Sequence, residues 1–366
     1  MTRNTVLLRA DGGPSIGMGH LTRTAGLAEA CLQRDYDPEL LTRTSPETDL
    51  DGIVPRDLDR RTLPAGCSRD EDRRTTVDWI REHDPAFVVT DLCNGRFIPD
   101  PDGYRSYLEA VAAPSRFLVT IDDLHTFPMP ADLVVNPNYG ASDRSYTRDG
   151  DTTYLLGPDY FIFRNAFLEQ RTENRCDQPD LARNLLVTLG GSDLQNVTGT
   201  VCRAVSRLDR ELNVHVISGI AAEALPVDPD ASSRINWRFS RFVHDFAEVL
   251  AGVDLAITAG GLTKYETALL GVPSLVISQV DHQHKIMQSF EDAGTCIYLG
   301  RAGDASCSAL RQNLSSLMSD RSRRERMAGD GLKLVDGNGR ERIFDALADR
   351  RSSEPSHPEE PTLDLR

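Results

Sequence analysis

The sequence predicts an α/β protein made of two parallel-sheet domains that face each other across a cleft. Three observations carry this. Short β-branched or leucine-rich runs alternate with amphipathic helical stretches, the pattern of a parallel sheet covered by helices. The pattern stops at a polar stretch, residues 164–183, which contains Pro179 and no strand signal, and then starts again. The chain has 366 residues, enough for two ordinary domains with a core each.

In the first half, the strand-like Val6-Leu7-Leu8-Arg9 opens the pattern, with strands expected at 5–10, 86–91, 117–122 and 132–136 and a weaker one at 38–41. Helices fit 20–34, 71–83 and 103–112, while 43–67, rich in Asp, Pro and Thr, reads as loop. The second half predicts strands at 185–189, 214–217, 235–239, 255–258, 274–277 and 296–299. Its helices fit 197–207, 245–251, 264–270, 283–293, 306–319 and 321–334. The expected organisation is therefore a Rossmann-like domain at 1–163, a connector at 164–183 and a second Rossmann-like domain at 184–350. The tail at 351–366, rich in Pro, Glu and Ser, cannot bury a core and is expected to be disordered.

Composition narrows the function. Hydrophobic residues make up 39% and charged residues 27%, as in a soluble globular protein. The start lacks a signal-peptide layout, and no apolar run approaches the ~20 residues of a membrane span, so a cytoplasmic protein without stable membrane insertion is expected. Seven scattered cysteines with no C-x-x-C argue for reduced, structural thiols and against zinc knuckles. Net charge is −15 with only three lysines, which argues against nucleic acid as a partner. Such an acidic, lysine-poor surface suits a cytoplasm of very high salt; arginine-favouring base composition is the plainer explanation. A monomer or weak homo-oligomer is expected.

In consecutive βα domains, ligands sit in the loops after the strands, and two facing crevices form one cleft. The first such loop runs from Asp11 to His20 and holds Gly17 and Gly19. It is neither G-x-G-x-x-G nor a Walker sequence, so dinucleotide and P-loop readings fail. His20 stands directly after G-x-G at a cleft-facing helix start, a position for acid–base work, although most lone histidines only cap or solvate a helix end. Asp11 either orients His20 or satisfies loop amides. In the second half, Gly190-Gly191-Ser192-Asp193 ends one strand, with Asn196 as a helix N-cap. Gly260-Gly261-Leu262-Thr263 follows another, where backbone amides and the Thr263 hydroxyl can hold a diphosphate. Glu266 is placed for ribose hydroxyls; its plain role is stabilising a helix start. His282 and His284 lack a third ligand, and Asp122-Asp123 with His125 reads as a loop-fixing group, so no metal or other cofactor is expected.

Several pieces occur in an order that resembles one family: Arg9-Ala10-Asp11 with Ile16-Gly17-Met18-Gly19-His20-Leu21-Thr22-Arg23, Asp122-Asp123, Asn136-Pro137-Asn138, Leu156-Gly157-Pro158-Asp159-Tyr160 with Arg164 and Phe167, Gly190-Gly191-Ser192-Asp193, Gly260-Gly261 with Thr263 and Glu266, and Gly271-Val272-Pro273. The chain resembles the UDP-2,4-diacetamido-2,4,6-trideoxy-β-L-altropyranose hydrolases of pseudaminic acid synthesis, related to spore-coat polysaccharide proteins and the peptidoglycan N-acetylglucosaminyltransferase. The resemblance implies a glycosyltransferase-B-like fold and a UDP-sugar substrate, with His20 activating a water that displaces UDP with inversion. It implies substrate contacts from Gly17, Gly19, Arg23, Asn138, Gly190, Gly191, Asp193, Gly260, Gly261, Thr263, Glu266 and Gln283. The alternatives are an inverting UDP-sugar glycosyltransferase and a non-catalytic nucleotide-sugar-binding partner. Three departures bear on the sugar: Leu262 stands for a serine, Leu92-Cys93-Asn94 lacks an expected tyrosine, and His282 replaces an asparagine.

Overall fold

A computed structural model of the chain describes residues 4–13, 16–45, 48–64, 66–92, 100–143, 146, 150–190, 197–218, 234–241, 243–279 and 281–353. Two parallel sheets organise them. The first contains β1 (Thr5–Ala10), β2 (Asp37–Arg43), β3 (Asp59–Leu63), β4 (Phe87–Asp91), β5 (Leu118–Ile121), β6 (Leu133–Asn136) and β7 (Thr153–Leu156), in the order β3-β2-β1-β4-β5-β6-β7. The second contains β8 (Asn184–Thr188), β9 (Leu212–Ile217), β10 (Ile235–Ser240), β11 (Leu255–Ala259), β12 (Ser274–Ser278) and β13 (Cys296–Arg301), in the order β10-β9-β8-β11-β12-β13.

Helices cover both faces of each sheet, which is why central strands read as unbroken apolar runs rather than alternating ones. In the first sheet, Val6, Leu8, Val89 and Ile121 pack with Leu21, Ala25 and Ala28 of α1 (Gly19–Leu32). Leu7, Val88, Leu118 and Val134 face the other way, onto Trp79 of α2 (Arg69–His83) and Leu108 of α3 (Pro101–Ala112). The second sheet has α5 (Val197–Val205) and α9 (Cys307–Ser319) on one side, joined there by Met327 of α10 (Arg321–Leu334), whose Gly331 packs closely on Ala268 of the opposite layer. On its other side lie α6 (Phe246–Ala251), α7 (Thr263–Leu269) and α8 (Asp281–Asp292).

Each sheet has a point where the strand order reverses. The chain lays β2 and β3 to one side of β1, then returns to place β4 on the other, pairing Ala10 with Asp91. In the second sheet the same reversal puts β11 beside β8. Crevices open at the carboxyl ends of the strands at such points.

Four elements depart from the sequence reading. β3 lies where loop was expected and β7 was not anticipated; both are edge strands, β3 (Asp-Arg-Arg-Thr-Leu) burying only Leu63 and the four-residue β7 (Thr-Tyr-Leu-Leu) only Leu155, so each leaves a weak signal. The connector contains a short helix, α4 (Asn165–Gln170), which buries Phe167. Helix α11 (Gly339–Ser353) falls within the span expected for the second domain, yet Ile343, Phe344 and Leu347 pack into the core of the first sheet. Arg340 anchors the crossing, donating to Gly26 O at 3.2 Å and to Asn165 Oδ1 at 2.9 Å. The end of the expected disordered tail, residues 354–366, lies outside the described residues. Among the described residues, no helix is long and apolar enough to cross a membrane.

The chain's two tryptophans, Trp79 and Trp237, report on one sheet each. Ile343→Ala empties a buried site in the first core and is expected to lower unfolding free energy by about 2–5 kcal/mol. The loss should appear in the denaturation of Trp79 fluorescence, followed in a Trp237→Phe background. An unshifted Trp79 transition, with the loss seen instead by Trp237 in a Trp79→Phe background, contradicts the placement of α11.

Candidate active site

The loop after β1 is closed by reciprocal backbone bonds, Gly13 N to Gly17 O at 3.2 Å and Gly17 N to Gly13 O at 2.7 Å. Gly17 has φ +87°, a left-handed conformation that a side chain resists. This tight return delivers His20 as the second residue of α1, at 6% exposure. Its Nδ1 lies 2.6 Å from Oδ1 of Asp91, the last residue of the neighbouring strand β4. Nδ1–H donates to the carboxylate, which fixes the tautomer and leaves Nε2 as the basic nitrogen. Burial opposes charge on the imidazole, but the Asp91 carboxylate more than offsets it and raises the histidine above its ordinary value of 6.5.

Arg23, one turn further along α1, holds this carboxylate in place. Its Nε and Nη2 donate to Asp91 at 2.8 and 2.7 Å, and its Nη1 and Nη2 donate to Asp123 at 2.9 Å each. Asn138 Nδ2 donates to Asp123 Oδ1 at 3.1 Å. Burial pushes both carboxyls up, yet the guanidinium outweighs it and holds Asp91 and Asp123 below the usual carboxylate range. Arg23 and Asn138, which the resemblance made substrate contacts, are thus engaged inside the protein, at 2% and 7% exposure.

Asp11 does not orient His20. It bonds the Arg9 guanidinium and accepts from Arg43 N at 3.0 Å, while Arg9 also pairs with Asp72 in a buried network beneath β1. Asp91 holds the place expected for Asp11. The signal for it lay in the sequence, as a carboxylate ending a strand that returns to the switch point. Asp122 fixes its loop as expected, accepting from Leu124 N and His125 N at 2.9 and 2.8 Å. His20, Asp91 and Asp123 bring possible metal-ligating atoms within 4.8 Å of one another. The Arg23 guanidinium already stands between the two carboxylates, so a metal there would have to displace a buried, permanently charged cation.

In the second half, Gly190 follows β8 with φ +87°; Gly191, Asp193 and Asn196 lie outside the described residues. After β11, Gly260 lies beneath α8, where a Cβ would come within 3.2 Å of Gln283 Cβ and Met287 Cγ, so only glycine fits without displacement. Gln283 Oε1 accepts from Gln279 N at 3.0 Å. A Cβ on Gly261 would meet nothing within 4 Å, so this side of the turn is open. Glu266 is 7% exposed; burial raises its carboxyl to about 7, against a hydrogen bond from Thr263 and the charge of Arg164. His284 is engaged by the Tyr298 hydroxyl at 2.7 Å. The side chain of His282 is not among those described.

The halves meet at this turn. A Cβ on Gly19 would lie 3.5 Å from Leu262, and Tyr139 N donates to the Tyr265 hydroxyl at 2.8 Å. The structure therefore puts a carboxylate-oriented histidine at one switch point and a glycine turn at the other.

Comparison with known proteins fits this arrangement. Residues 184–337 match the model of the glycosyltransferase family 28 C-terminal domain. A spore coat polysaccharide biosynthesis protein of Bacillus subtilis is 32% identical over 225 residues, covering 60% of this chain and 65% of that protein. A Helicobacter pylori protein, named as a pseudaminic acid cytidylyltransferase and UDP-2,4-diacetamido-2,4,6-trideoxy-β-L-altropyranose hydrolase, is 28% identical over 148 residues, 39% of this chain and 25% of that protein. The matches thus span less than two thirds of either relative. Among solved structures, MurG of Acinetobacter baumannii aligns with a TM-score of 0.67 at 15% identity, over 94% of this chain and 99% of that one. The fold is glycosyltransferase-B-like, and the second half resembles a glycosyltransferase domain.

NMR titration of the imidazole tests the dyad. In the folded protein, His20 is expected to titrate above 6.5. In Asp91→Asn the charge that favours the imidazolium is gone while burial remains, so the midpoint should fall. An unchanged midpoint contradicts the pairing.

Proposed function

We propose that the chain cleaves the glycosyl–diphosphate bond of a UDP-sugar by inverting transfer to an acceptor hydroxyl, with His20 as the general base. The observation that carries this is the His20–Asp91 pair at 2.6 Å, set where Gly19 abuts the Leu262 turn. Asp91 presents Nε2 as the proton acceptor, the arrangement by which a neutral imidazole activates a hydroxyl. The acceptor oxygen gives its proton to Nε2 and bonds to the anomeric carbon. The carbon–oxygen bond to the diphosphate breaks on the opposite face, and its electron pair leaves with UDP.

The nucleotide is assigned to the second half. The open side of Gly261 and the Thr263 hydroxyl receive the diphosphate, where fixed donors stabilise the charge that develops on the leaving group. Glu266 takes the ribose hydroxyls and binds best once ionised, above about 7. The match of residues 184–337 to a glycosyltransferase domain supports this division.

Transfer is favoured over hydrolysis because the family match is to glycosyltransferases and spans the second half. Hydrolysis is the second reading, with water as the acceptor and the same histidine as base. It draws support from the match to the Helicobacter protein and from the Ile16–Arg23 segment.

The deciding experiment is a panel of UDP-sugars, with UDP release followed with and without added sugar or lipid-linked acceptors. Transfer predicts acceptor-dependent release that is insensitive to EDTA; full turnover in water alone overturns transfer in favour of hydrolysis. His20→Asn should lower turnover by about 10²–10⁴-fold with UDP affinity nearly unchanged. Glu266→Ala should show the reverse bias, weakening UDP in calorimetric titration. If the His20 variant is the one that loses UDP, the two halves have been assigned the wrong way round.

A further inference from the structure

Lys264 is one of only three lysines and is buried to 4% exposure, at the second position of α7. Its Nζ donates to Gly260 O at 3.0 Å and to Gly261 O at 2.9 Å. The same ammonium stands 4.5 Å from the centre of the Tyr265 ring and 5.9 Å from that of Phe290. Across the boundary between the halves, the charges of Asp123 and Arg23 act on it, and Cys296 of β13 faces it from the second sheet. Burying an ammonium costs several kcal/mol unless partners compensate. A side chain needed only to fill this space would be apolar.

We infer that Lys264 is the positioning residue of the nucleotide turn: its ammonium ties the Gly260 and Gly261 carbonyls back toward α7 and adds positive charge behind the turn that receives the diphosphate. This rests on the nucleotide assignment proposed above. Two backbone carbonyls held by one ammonium leave the turn a single conformation, so the diphosphate meets donors already in place. Among the described residues, the ammonium's partners are two carbonyl oxygens and two ring faces, and the carboxylate acting on it, Asp123, is shared with Arg23.

Burial pulls the ammonium down to about 8, with Asp123 opposing the shift. A bound diphosphate favours its charged form, so the contribution of Lys264 to UDP affinity is full well below that value and is lost as pH rises through it. Two nearby groups also titrate around neutrality: Glu266, raised to about 7, whose ionisation strengthens binding as pH rises and so opposes the Lys264 decline, and His20, raised above 6.5; both remain in the Lys264→Met variant, which therefore serves as the reference for the slope. Asp123 is held well below the window, Arg23 well above it and Cys296 at about 12.

The test is calorimetric titration of UDP into wild type and Lys264→Met, with folding checked by circular dichroism. Near pH 7.5 the variant is expected to bind UDP about 10- to 100-fold more weakly. Wild-type affinity should fall several-fold between about pH 7.5 and about pH 8.8, a slope absent from the variant. A variant that binds like wild type with the same slope overturns the assignment. If Lys264→Met does not fold, the wild-type profile decides, and a flat one overturns it. Wild type that fails to bind UDP at all removes the nucleotide assignment, and Lys264 with it, whereas loss confined to the variant separates the two.

Discussion

A guanidinium buried between two carboxylates is the constraint on which the candidate site depends. Arg23 cannot shed its proton, so at 2% exposure it must be paired, and Asp91 and Asp123 supply four hydrogen bonds between them. The three groups come from α1, the end of β4 and the loop after β5, so the pairing fixes those elements against one another at the carboxyl edge of the first sheet. His20 inherits its orientation from this lock. Asp91 turns one oxygen to Nδ1 while Arg23 grips both, and Asn138 steadies Asp123 from the loop after β6. Removing either carboxylate leaves a buried charge short of a partner as well as disturbing the base.

The second half solves a different problem by different means. Its turn after β11 has glycine where α8 crosses closely at Gly260, an open face at Gly261, and a lysine holding the carbonyls from within. Under the proposed function, the first half holds a proton acceptor still and the second presents donors to an anion. The contact of Gly19 with Leu262 and the bond from Tyr139 to Tyr265 join the halves beside His20 and the glycine turn. Helix α11 returns to the first core after the second sheet is complete, so the halves are tied by two chain crossings.

Much of this was legible in the sequence, because buried parallel strands and covering helices both leave strong apolar patterns. The runs at β1, β4 and β11 stood out, and with them the loops that follow. The edge strands β3 and β7 did not, since an edge strand need not be apolar on both faces. The position of His20 after G-x-G is visible in the sequence, whereas Asp11, in the same loop, serves the other role open to it, accepting from the Arg43 amide. Sequence distance hid Asp91, 71 residues away and adjacent only because β4 returns beside β1. The resemblance makes Arg23 and Asn138 ligand contacts; their burial gives a structural reason for those residue types at those positions. Lys264 carried no motif and gains meaning only from burial against the turn.

The most direct measurement is a crystal structure of the protein with UDP bound. The division of labour described here predicts the diphosphate against Gly261 and Thr263, the ribose hydroxyls on Glu266, and His20 Nε2 facing the open space beyond the terminal phosphate, with Nδ1 still on Asp91. UDP lodged in the first half, or lying in the second with its diphosphate turned away from His20, would contradict it.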